Sequence, residues 1–235
     1  SGNALRFDGT GSLNAGDTAG FGYMDKFTIA FWVYPACNVG TMISRMTPEE
    51  QAAGYYLQLQ DGRVQVNLIN RWLDDAIRVE SRQSLPLNQW QHLTVTYDGS
   101  RAANGIRVYI NAQQIPLEIK LDQINQTFAL PMEPLRIGGG QKLFTGALDD
   151  VRIFDRDLSP ADVQCVAVSE TVSEIHALQQ ESRNDAQREK LSRYFLEHHA
   201  PPMFREAAHR LTQLTQERRE FLENLPTVMV MEELK

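Results

Sequence analysis

The sequence has little that would support metal or haem chemistry, membrane insertion or nucleic-acid binding. It contains only two cysteines, Cys37 and Cys165, and neither stands in the CxxC or CxxCH context used for metal sites and haem attachment. We expect two separate thiols, with a disulfide between them as the alternative. No apolar run approaches the roughly 20 residues of a membrane-spanning helix. The net charge of -7 argues against nucleic acid as a partner, because phosphate binding requires a basic surface.

Motifs for catalysis are also missing. Retaining glycosidases use two carboxylates roughly 5–5.5 Å apart, and the nearest acidic pair in a strand-like stretch is Glu118 and Asp122. There is no GxSxG motif, and the adjacent His198 and His199 would face different sides of a helix. His92 is predicted to be structural. We therefore do not expect an enzyme, and a glycoside hydrolase is the least favoured function.

Glycine divides the chain into two parts. All fifteen glycines lie at or before Gly146, and all three tryptophans lie at or before residue 90. After Pro160 the sequence is rich in Glu, Gln, Arg, Leu and Ala, which favour helices. We predict a β domain over residues 1–158, a helical hairpin over 159–225 and a linker to a following domain over 226–235.

The first part consists of short runs that alternate between apolar and polar residues and are separated by turn signals, as in an all-β sandwich. The run FTIAFWVYP, residues 27–35, is apolar on both faces, which predicts a central strand covered on both sides. Two alternating runs, 55–60 and 63–69, flank Asp61-Gly62. That dipeptide is the strongest short-range signal for a hairpin.

The stretch 135–160 closes the β part and opens the helical part. Period-2 alternation predicts that Asp149 points inward, on the same face as Val151 and Ile153. An inward carboxylate needs a partner, because an unpaired buried charge is very costly. Ser159-Pro160 then provides a helix start, with serine as the N-cap and proline at the first helical position.

Three helical segments are predicted in the second part. The first covers residues 159–178 and is interrupted by β-branched residues. The second is capped by Asn184 or Asp185 and is ended by the two prolines at 201–202, and the third covers 203–224. The last two form an αα-hairpin, which we expect to serve as a spacer that docks on the sandwich or on the next domain.

Five motifs occur in the order seen in laminin-G-like domains, namely LRFDGTG, FTIAFWVYP, SLPLNQWQHLTVTYDG, RVYINAQQI and LRIGG…FTGALDDVRIFDRDLSPADV. Residues 3–165 therefore resemble that family, a branch of the concanavalin A-like superfamily. The resemblance implies a mainly β fold, a concanavalin A-like jelly-roll β-sandwich, here followed by a C-terminal α-helical hairpin. Asn111-Ala112 departs from the Asn-Gly or Asp-Gly usual in the family, at some loss of turn propensity.

The two parts are followed by a tail that begins PTVMVMEE, and in this order they resemble a segment of large planctomycete-type secreted proteins. Such proteins carry a cytochrome-c-like module and uncharacterised domains around a laminin-G-like domain and a helical pair. This resemblance implies an extracytoplasmic location, secreted or periplasmic. It also implies that other domains of the parent chain are partners.

The hairpin predicts a ligand-binding face. Its alternation places five side chains on the core, Leu57, Leu59, Val64, Val66 and Leu68, and leaves Tyr56, Gln58, Gln60, Gln65 and Asn67 on the opposite face. Amides and an aromatic ring suit a carbohydrate, and the next loop adds Trp72 and Arg78. We predict non-catalytic binding of a polysaccharide or glycan through Tyr56, Gln58, Asn67, Trp72 and Arg78. The alternative is a solvated sheet face on a scaffold module that positions its neighbours and binds no sugar.

The resemblance further implies a structural calcium ion. The motif DDVRIF is similar to the Asp-x-Val-Arg-x-aromatic strand of related jelly rolls, in which the first aspartate ligates calcium, so Asp149 is the expected ligand. The N-terminal strand would lie beside it in such a fold, which makes Asp8 a second candidate. Calcium prefers 6–8 oxygen ligands, and turn carbonyls can complete the set. The alternative is that Asp149 accepts backbone N–H bonds from a neighbouring loop.

Overall fold

The computed structural model describes residues 4–48 and 53–223 and contains a β-sandwich followed by helices. The strands are β1 (Leu5–Asp8), β2 (Leu13–Asn14), β3 (Phe27–Pro35), β4 (Gly40–Met46), β5 (Gly54–Gln60), β6 (Arg63–Arg71), β7 (Asp75–Ser84), β8 (Gln91–Tyr97), β9 (Ile106–Ile110), β10 (Gln113–Gln114), β11 (Leu117–Gln123), β12 (Arg136–Ile137) and β13 (Thr145–Phe154). The helices are α1 (Pro160–Val166), α2 (Val172–Ala177), α3 (Asp185–His198) and α4 (Pro202–Glu223).

The strands form two antiparallel sheets. One has six strands in the order β1-β13-β3-β8-β9-β10, and the other has seven in the order β11-β7-β6-β5-β4-β12-β2. The first strand pairs with the last, Leu5 lying opposite Leu148, so the order in the sheet is not the order in the chain. This arrangement confirms the predicted jelly-roll sandwich. We call the surface of each sheet that points away from the shared core its outer face, so there is a six-strand outer face and a seven-strand outer face.

The core lies between the sheets and is built from the inward side chains of both. Phe31 of β3 and Leu57 of β5 are fully buried in it. The five apolar residues predicted to face the core from the β5–β6 hairpin, Leu57, Leu59, Val64, Val66 and Leu68, all belong to it. On the other face of β3, Ala30 is fully buried and Trp32 is half-buried, as expected for a central strand covered on both sides.

Two tight turns have left-handed backbone at both central positions. In the β5–β6 hairpin these are Asp61 and Gly62, with φ of 53° and 78°, which confirms the predicted turn. In the β9–β10 turn they are Asn111 and Ala112, with φ of 51° and 62°. Alanine has a Cβ that disfavours this region, so the departure from Asn-Gly has a conformational cost.

A β-bulge in β13 reverses the face predicted for Asp149. The register shifts between Asp149, which pairs with Trp32, and Arg152, which pairs with Ala30. Asp150 takes up the extra residue with a φ of 50°. As a result Asp149 points to the six-strand outer face beside Trp32, while Val151 and Ile153 pack against the core. The expected inward orientation of Asp149 was therefore wrong.

Helix α1 belongs with the sandwich. Contacts divide the chain into two compact units, Ser1–Ala167 and Val168–Lys235, and α1 lies in the first. Ser159 caps it as predicted, its side chain accepting the N–H of Asp162, and proline occupies the first turn. The helix packs through Val163 against Tyr109 and Leu158. Cys165 of α1 and the exposed Cys37 are not joined in a disulfide, which agrees with the expectation of two separate thiols.

The second unit contains α2, α3 and α4. The helix predicted over 159–178 is two helices, because Thr171 forms a capping box with Glu174 and starts α2 anew. Asn184, rather than Asp185, caps α3. Residues 199–201 join α3 to α4, which confirms the predicted hairpin. Most apolar residues of its predicted stripe on α4 are exposed, among them Phe204, Leu211, Leu214 and Phe221.

Two expectations about the C-terminal part have no structural test. The segment 226–235, expected to be a linker, lies outside the described residues. The domain limits at 158 and 225 stay predictions.

Within the described ranges, no helix combines the length and apolar character needed to cross a membrane.

Candidate functional site

A cleft of about 530 Å³ lies on the seven-strand outer face. Strands β5, β6 and β7 provide its floor, and β11 and the β12–β13 loop contribute side chains from either side. Five amide residues line it, Gln58, Gln60, Gln65, Asn67 and Gln141, together with the cations Arg78, Lys120 and Lys142 and the indole of Trp72. None of the described lining residues is acidic. The cleft therefore offers both hydrogen-bond donors and acceptors beside positive charge.

Strand register brings the predicted residues into rows. Gln58 of β5 pairs with Gln65 of β6, and Asn67 of β6 lies between Tyr56 of β5 and Arg78 of β7. Directly paired residues point to the same face. Because the neighbouring positions on β5 and β6 are apolar and belong to the core, these polar side chains are left on the outer face.

Four of the five predicted ligand-binding residues line the cleft: Gln58, Asn67, Trp72 and Arg78. The fifth, Tyr56, is fully buried beside the cleft in a cluster with Met46, Ile69 and Ala76. It shares the row of Asn67 but is covered by its apolar neighbours. That these residues bind a ligand stays a prediction.

A buried carboxylate connects the polar residues of the cleft. Glu80 is only 8% exposed and accepts hydrogen bonds from Gln65 Nε2 at 2.7 Å and Arg63 Nη1 at 3.1 Å. Lys120 Nζ lies 3.3 Å from the same carboxylate. Gln58 Nε2 in turn donates to Gln65 Oε1 at 2.8 Å. The network fixes the amide groups of Gln58 and Gln65 relative to one another.

Glu80 is held in its ionised form. Burial raises the pKa of its carboxyl, but the hydrogen bonds from Gln65, Arg63 and Lys120 together lower it further, so the net shift is downward. A carboxylate with this environment is a structural acceptor at neutral pH. Sequence reasoning missed Glu80 and Lys120, since β7 and β11 become neighbours of the hairpin only in the folded sheet.

Trp72 and Arg78 form a stacked pair at one end of the cleft. The Arg78 guanidinium carbon lies 4.1 Å from the centroid of the indole, in range of a cation–π interaction. Trp72 is half-buried and also packs on the cluster that contains Tyr56. One face of the indole is thus used by Arg78, so Trp72 positions a cation rather than presenting a fully open platform.

The loop that carries Trp72 is anchored by Asp75. This carboxylate is 1% exposed and accepts the backbone N–H of Asn125 at 2.6 Å and of Gln126 at 3.3 Å, and Asn70 Nδ2 at 2.8 Å. Burial raises the pKa of Asp75, and these hydrogen bonds lower it by more. The anchor ties the β6–β7 connection to the segment after β11, which limits the freedom of the cleft wall.

Three buried polar atoms in this region have no hydrogen-bond partner in the described structure: Tyr56 Oη, Asn67 Nδ2 and Arg78 Nε. They lie in one row across β5, β6 and β7. Most buried polar groups in proteins are paired, and each unpaired one costs about 1–3 kcal/mol. The row beside Trp72 therefore has unused hydrogen-bonding capacity.

The two predicted calcium ligands do not form one site. Asp8 pairs with Thr145, four positions along β13 from Asp149, a separation of roughly 13 Å. The Asp8 carboxylate accepts the N–H and hydroxyl of Thr10, and Asp149 Oδ1 accepts the N–H of Asp150 at 2.8 Å. No group of three or more metal-binding side chains occurs among the described residues.

Calcium at Asp149 stays a prediction, and it would require backbone oxygens for most of its ligands. Thermal melting of chelator-treated protein with and without millimolar calcium tests it. A site at Asp149 would raise the melting temperature of the wild type and not of Asp149→Ala.

Comparison with known proteins settles the family. Residues 7–164, more than half of the chain, match the family Laminin_G_3, described as the concanavalin A-like lectin/glucanases superfamily. The chain belongs to this superfamily. A search of curated proteins finds no match for it. The superfamily agrees with the strand order, since both describe a jelly-roll sandwich.

Solved structures with a similar fold have low sequence identity to the chain. A Ruminococcus gnavus IT-sialidase module, CBM40 bound to α2,3-sialyllactose, is 13% identical with a TM-score of 0.57, over 72% of this chain and 97% of that one. The binding domain of Paraclostridial Mosquitocidal Protein 1 is 18% identical with a TM-score of 0.51. That match covers 70% of this chain and 42% of the mosquitocidal domain. At such identities the likeness establishes the fold alone.

Proposed function

We propose that the chain is a non-catalytic carbohydrate-recognition module of a larger secreted protein. The observation that carries this proposal is the cleft of about 530 Å³ lined by five amides, Trp72 and three cations. Its volume lies in the range of small-molecule sites. The secreted location rests on the resemblance noted above and on the membership of a superfamily of lectins and glucanases.

The chemistry of the lining suits sugar hydroxyls. An amide side chain carries two N–H donors and a carbonyl acceptor, and a hydroxyl likewise both donates and accepts. The Gln65 amide is held by its hydrogen bond to Glu80 and the Gln58 amide by its hydrogen bond to Gln65, so both are ordered before a ligand arrives. Asn67 Nδ2, which has no partner in the described structure, is a donor available to the same ligand after a small side-chain movement.

The fold neighbours support a binding role. The Ruminococcus module holds sialyllactose, and the mosquitocidal protein domain is described as a binding domain. For this chain we take from them only the general class, a module that binds a glycan.

The surroundings of Glu80 support a role without catalysis. A glycosidase needs a second carboxylate and a general acid with a raised pKa. The pKa of Glu80 is instead lowered, and its oxygens are engaged by Arg63, Gln65 and Lys120. No acidic residue lines the cleft among the residues described.

A binding titration with the full chain tests the proposal. We expect a panel of plant and algal polysaccharides to include at least one that binds, and we expect Trp72→Ala to weaken that binding by about tenfold, because it removes the support of Arg78. Trp90→Ala is the matched control. Trp90 is 42% exposed and contacts Tyr34 of β3, in the other sheet.

The outcomes distinguish the two functions considered for this chain, carbohydrate recognition and a scaffold that binds no sugar. Equal weakening by both tryptophan variants would indicate a general loss of folding rather than a site. An absence of binding across the whole panel would favour the alternative function, a scaffold that positions neighbouring domains.

A further inference from the structure

The charge balance of the cleft is the feature from which the ligand class can be argued. The chain as a whole carries a net charge of -7, yet the described residues lining the cleft include three cations and no anion. Such a local reversal of sign concentrates positive potential where a ligand would lie.

One of the three cations is neutralised within the protein. Lys120 Nζ lies 2.8 Å from Glu118 and 3.3 Å from Glu80. Glu80 also accepts from Arg63, so these two acids and two bases balance. Lys120 therefore contributes a hydrogen-bond donor to the cleft but little net charge.

Arg78 and Lys142 are not balanced in this way. Neither side chain forms an ion pair with any described residue, and Arg78 Nε is buried without a hydrogen-bond partner. The indole of Trp72 holds the guanidinium in place but supplies no hydrogen-bond acceptor to it. Arg78 is half-buried and lines the cleft, and the planar guanidinium matches the geometry of a carboxylate or sulfate.

The two unbalanced cations lie at opposite sides of the cleft. Arg78 is on β7, whereas Lys142 is on the β12–β13 loop, whose backbone bonds to Thr41 of β4. Strands β7 and β4 are separated by three strand spacings, roughly 14 Å. A ligand that pairs with both cations has to reach across the cleft between these strands, which favours one whose acidic groups are on different sugar units.

We propose that the cleft binds acidic oligosaccharides, in which carboxylate or sulfate groups on separate sugar units pair with Arg78 and Lys142 while the amides bind the hydroxyls between them. This inference rests on the proposed carbohydrate recognition and names its ligand class. It concerns binding alone and involves no bond making or breaking.

Matched pairs of ligands test the charge requirement. Oligogalacturonate is compared with its fully methyl-esterified form, and a sulfated galactan oligosaccharide with its desulfated form, by calorimetric titration against the full chain. We expect the charged member of at least one pair to bind about tenfold or more tightly, and the pair that responds identifies carboxylate or sulfate. Added salt should weaken binding of the charged member and leave the neutral member unchanged.

Charge-removing variants locate the effect. Arg78→Gln and Lys142→Gln should each reduce the preference for the charged member by about tenfold. Arg6→Gln is the control, because Arg6 is exposed on β1 of the other sheet and its loss changes the net charge equally. Thermal melting of each variant checks folding, and Lys142, on an exposed loop, is the substitution least able to disturb it.

Three results would overturn the inference. Equal binding of charged and neutral members would leave carbohydrate recognition intact and remove the requirement for acid. A preference for the charged member that survives in both Arg78→Gln and Lys142→Gln would place the anion elsewhere. No binding of any member, neutral or charged, would remove the proposed function together with the inference.

Discussion

Alternation places polar side chains on both outer faces of the sandwich. The chain after β13 packs on one of these faces, whereas the other carries a cleft. On the six-strand outer face, Thr28 donates to the carbonyl of Arg156 at 2.7 Å and accepts the N–H of Leu158 at 2.9 Å, so the chain after β13 covers this part of the face. On the seven-strand outer face, Gln58 and Gln65 bond to each other and line a cleft. Polar alternation marks an outer face, but the later course of the chain decides whether that face is available to a ligand.

The chemistry of the two faces differs accordingly. The six-strand outer face carries aromatic rings such as Trp32 and Tyr109 beside short side chains such as Thr94, whose hydroxyl lies 3.3 Å from His92 Nδ1. The cleft carries long amides and cations, two of which, Gln65 and Lys120, contact the charged carboxylate of Glu80. We therefore expect the titratable groups of the two faces to change stability in different pH ranges. We also expect substitutions outside the cleft to change stability without changing binding.

The largest effect should come from His92 on the covered face. Burial, with a smaller contribution from Arg152, lowers the pKa of His92 to about 4 from 6.5. The unfolded chain binds this proton below pH 6.5 and the folded chain does not, so stability should fall as pH decreases from about 6.5 to about 4. The loss should reach about 3 kcal/mol in urea unfolding. His92→Gln should flatten the pH dependence in this range, and equal slopes for both proteins would contradict the assignment.

Removal of the side chain that covers the six-strand outer face should have the next largest effect. Leu158 is 3% exposed and packs with Tyr109 and Val163. Leu158→Ala should lower the free energy of unfolding by about 2–3 kcal/mol through lost burial and a cavity. Leu87→Ala, at a position 40% exposed, should change it by less than about 0.5 kcal/mol. Glycan binding should be unchanged in both variants, because neither residue lines the cleft.

The carboxylate beneath the cleft should show a smaller effect in a more acidic range. Glu80→Gln weakens three charge-assisted contacts and should cost about 1–2 kcal/mol at neutral pH. Because the folded-state pKa is lowered from 4.5, the contribution of Glu80 is complete above that pH and lost as pH falls through the folded value. The stability difference between wild type and variant should then vanish in acid. Glu118 is about half exposed and its carboxylate pairs with Lys120 at 2.8 Å, so Glu118→Gln should show little difference at any pH.

The smallest effect is expected in the turns that join neighbouring strands. Ala112→Gly should raise the free energy of unfolding by about 0.5–1 kcal/mol, since glycine adopts the φ of 62° without a Cβ clash. Gly62→Ala makes the reverse change at the β5–β6 turn, where φ is 78°, and should destabilise. Thermal melting compares the two. A destabilised Ala112→Gly would mean that the contact of the alanine methyl group with the cluster of Tyr109 outweighs backbone strain.

Local patterns were enough to predict most of the elements. Asp61-Gly62 fixed the register of β5 and β6, and that register placed the amides on one face and the leucines on the other. Ser159-Pro160 predicted the start of α1 for the physical reason that the structure displays, a side-chain cap followed by proline. These signals act within a few residues, so a single sequence contains them.

The remaining features depend on contacts between distant segments. The bulge at Asp150 inserts one residue and so reverses the face of Asp149, which strict alternation cannot anticipate. Lys120, Gln141 and Lys142 enter the cleft from β11 and the β12–β13 loop, and no local pattern brings those segments to the hairpin. The burial of Tyr56 likewise depends on Met46 and Ala76 from flanking strands.

The hydrogen bonds that end on Glu80 fix which way round the amide groups of Gln65 and Gln58 are oriented. Because the carboxylate can only accept, Gln65 must turn its NH₂ group toward it and its carbonyl toward Gln58, which in turn must present its own NH₂. The carbonyl oxygen of Gln58 is then the free acceptor at the end of this chain of hydrogen bonds. Glu80, two strands away, sets the direction of the chain. Protonation of Glu80 would give its carboxyl group an O–H donor. Gln65 would then no longer have to turn its NH₂ group toward Glu80. A single negative charge on β7 thus sets which atom of Gln58 is left to accept a hydrogen bond, and under the proposed function a sugar hydroxyl would donate to that oxygen.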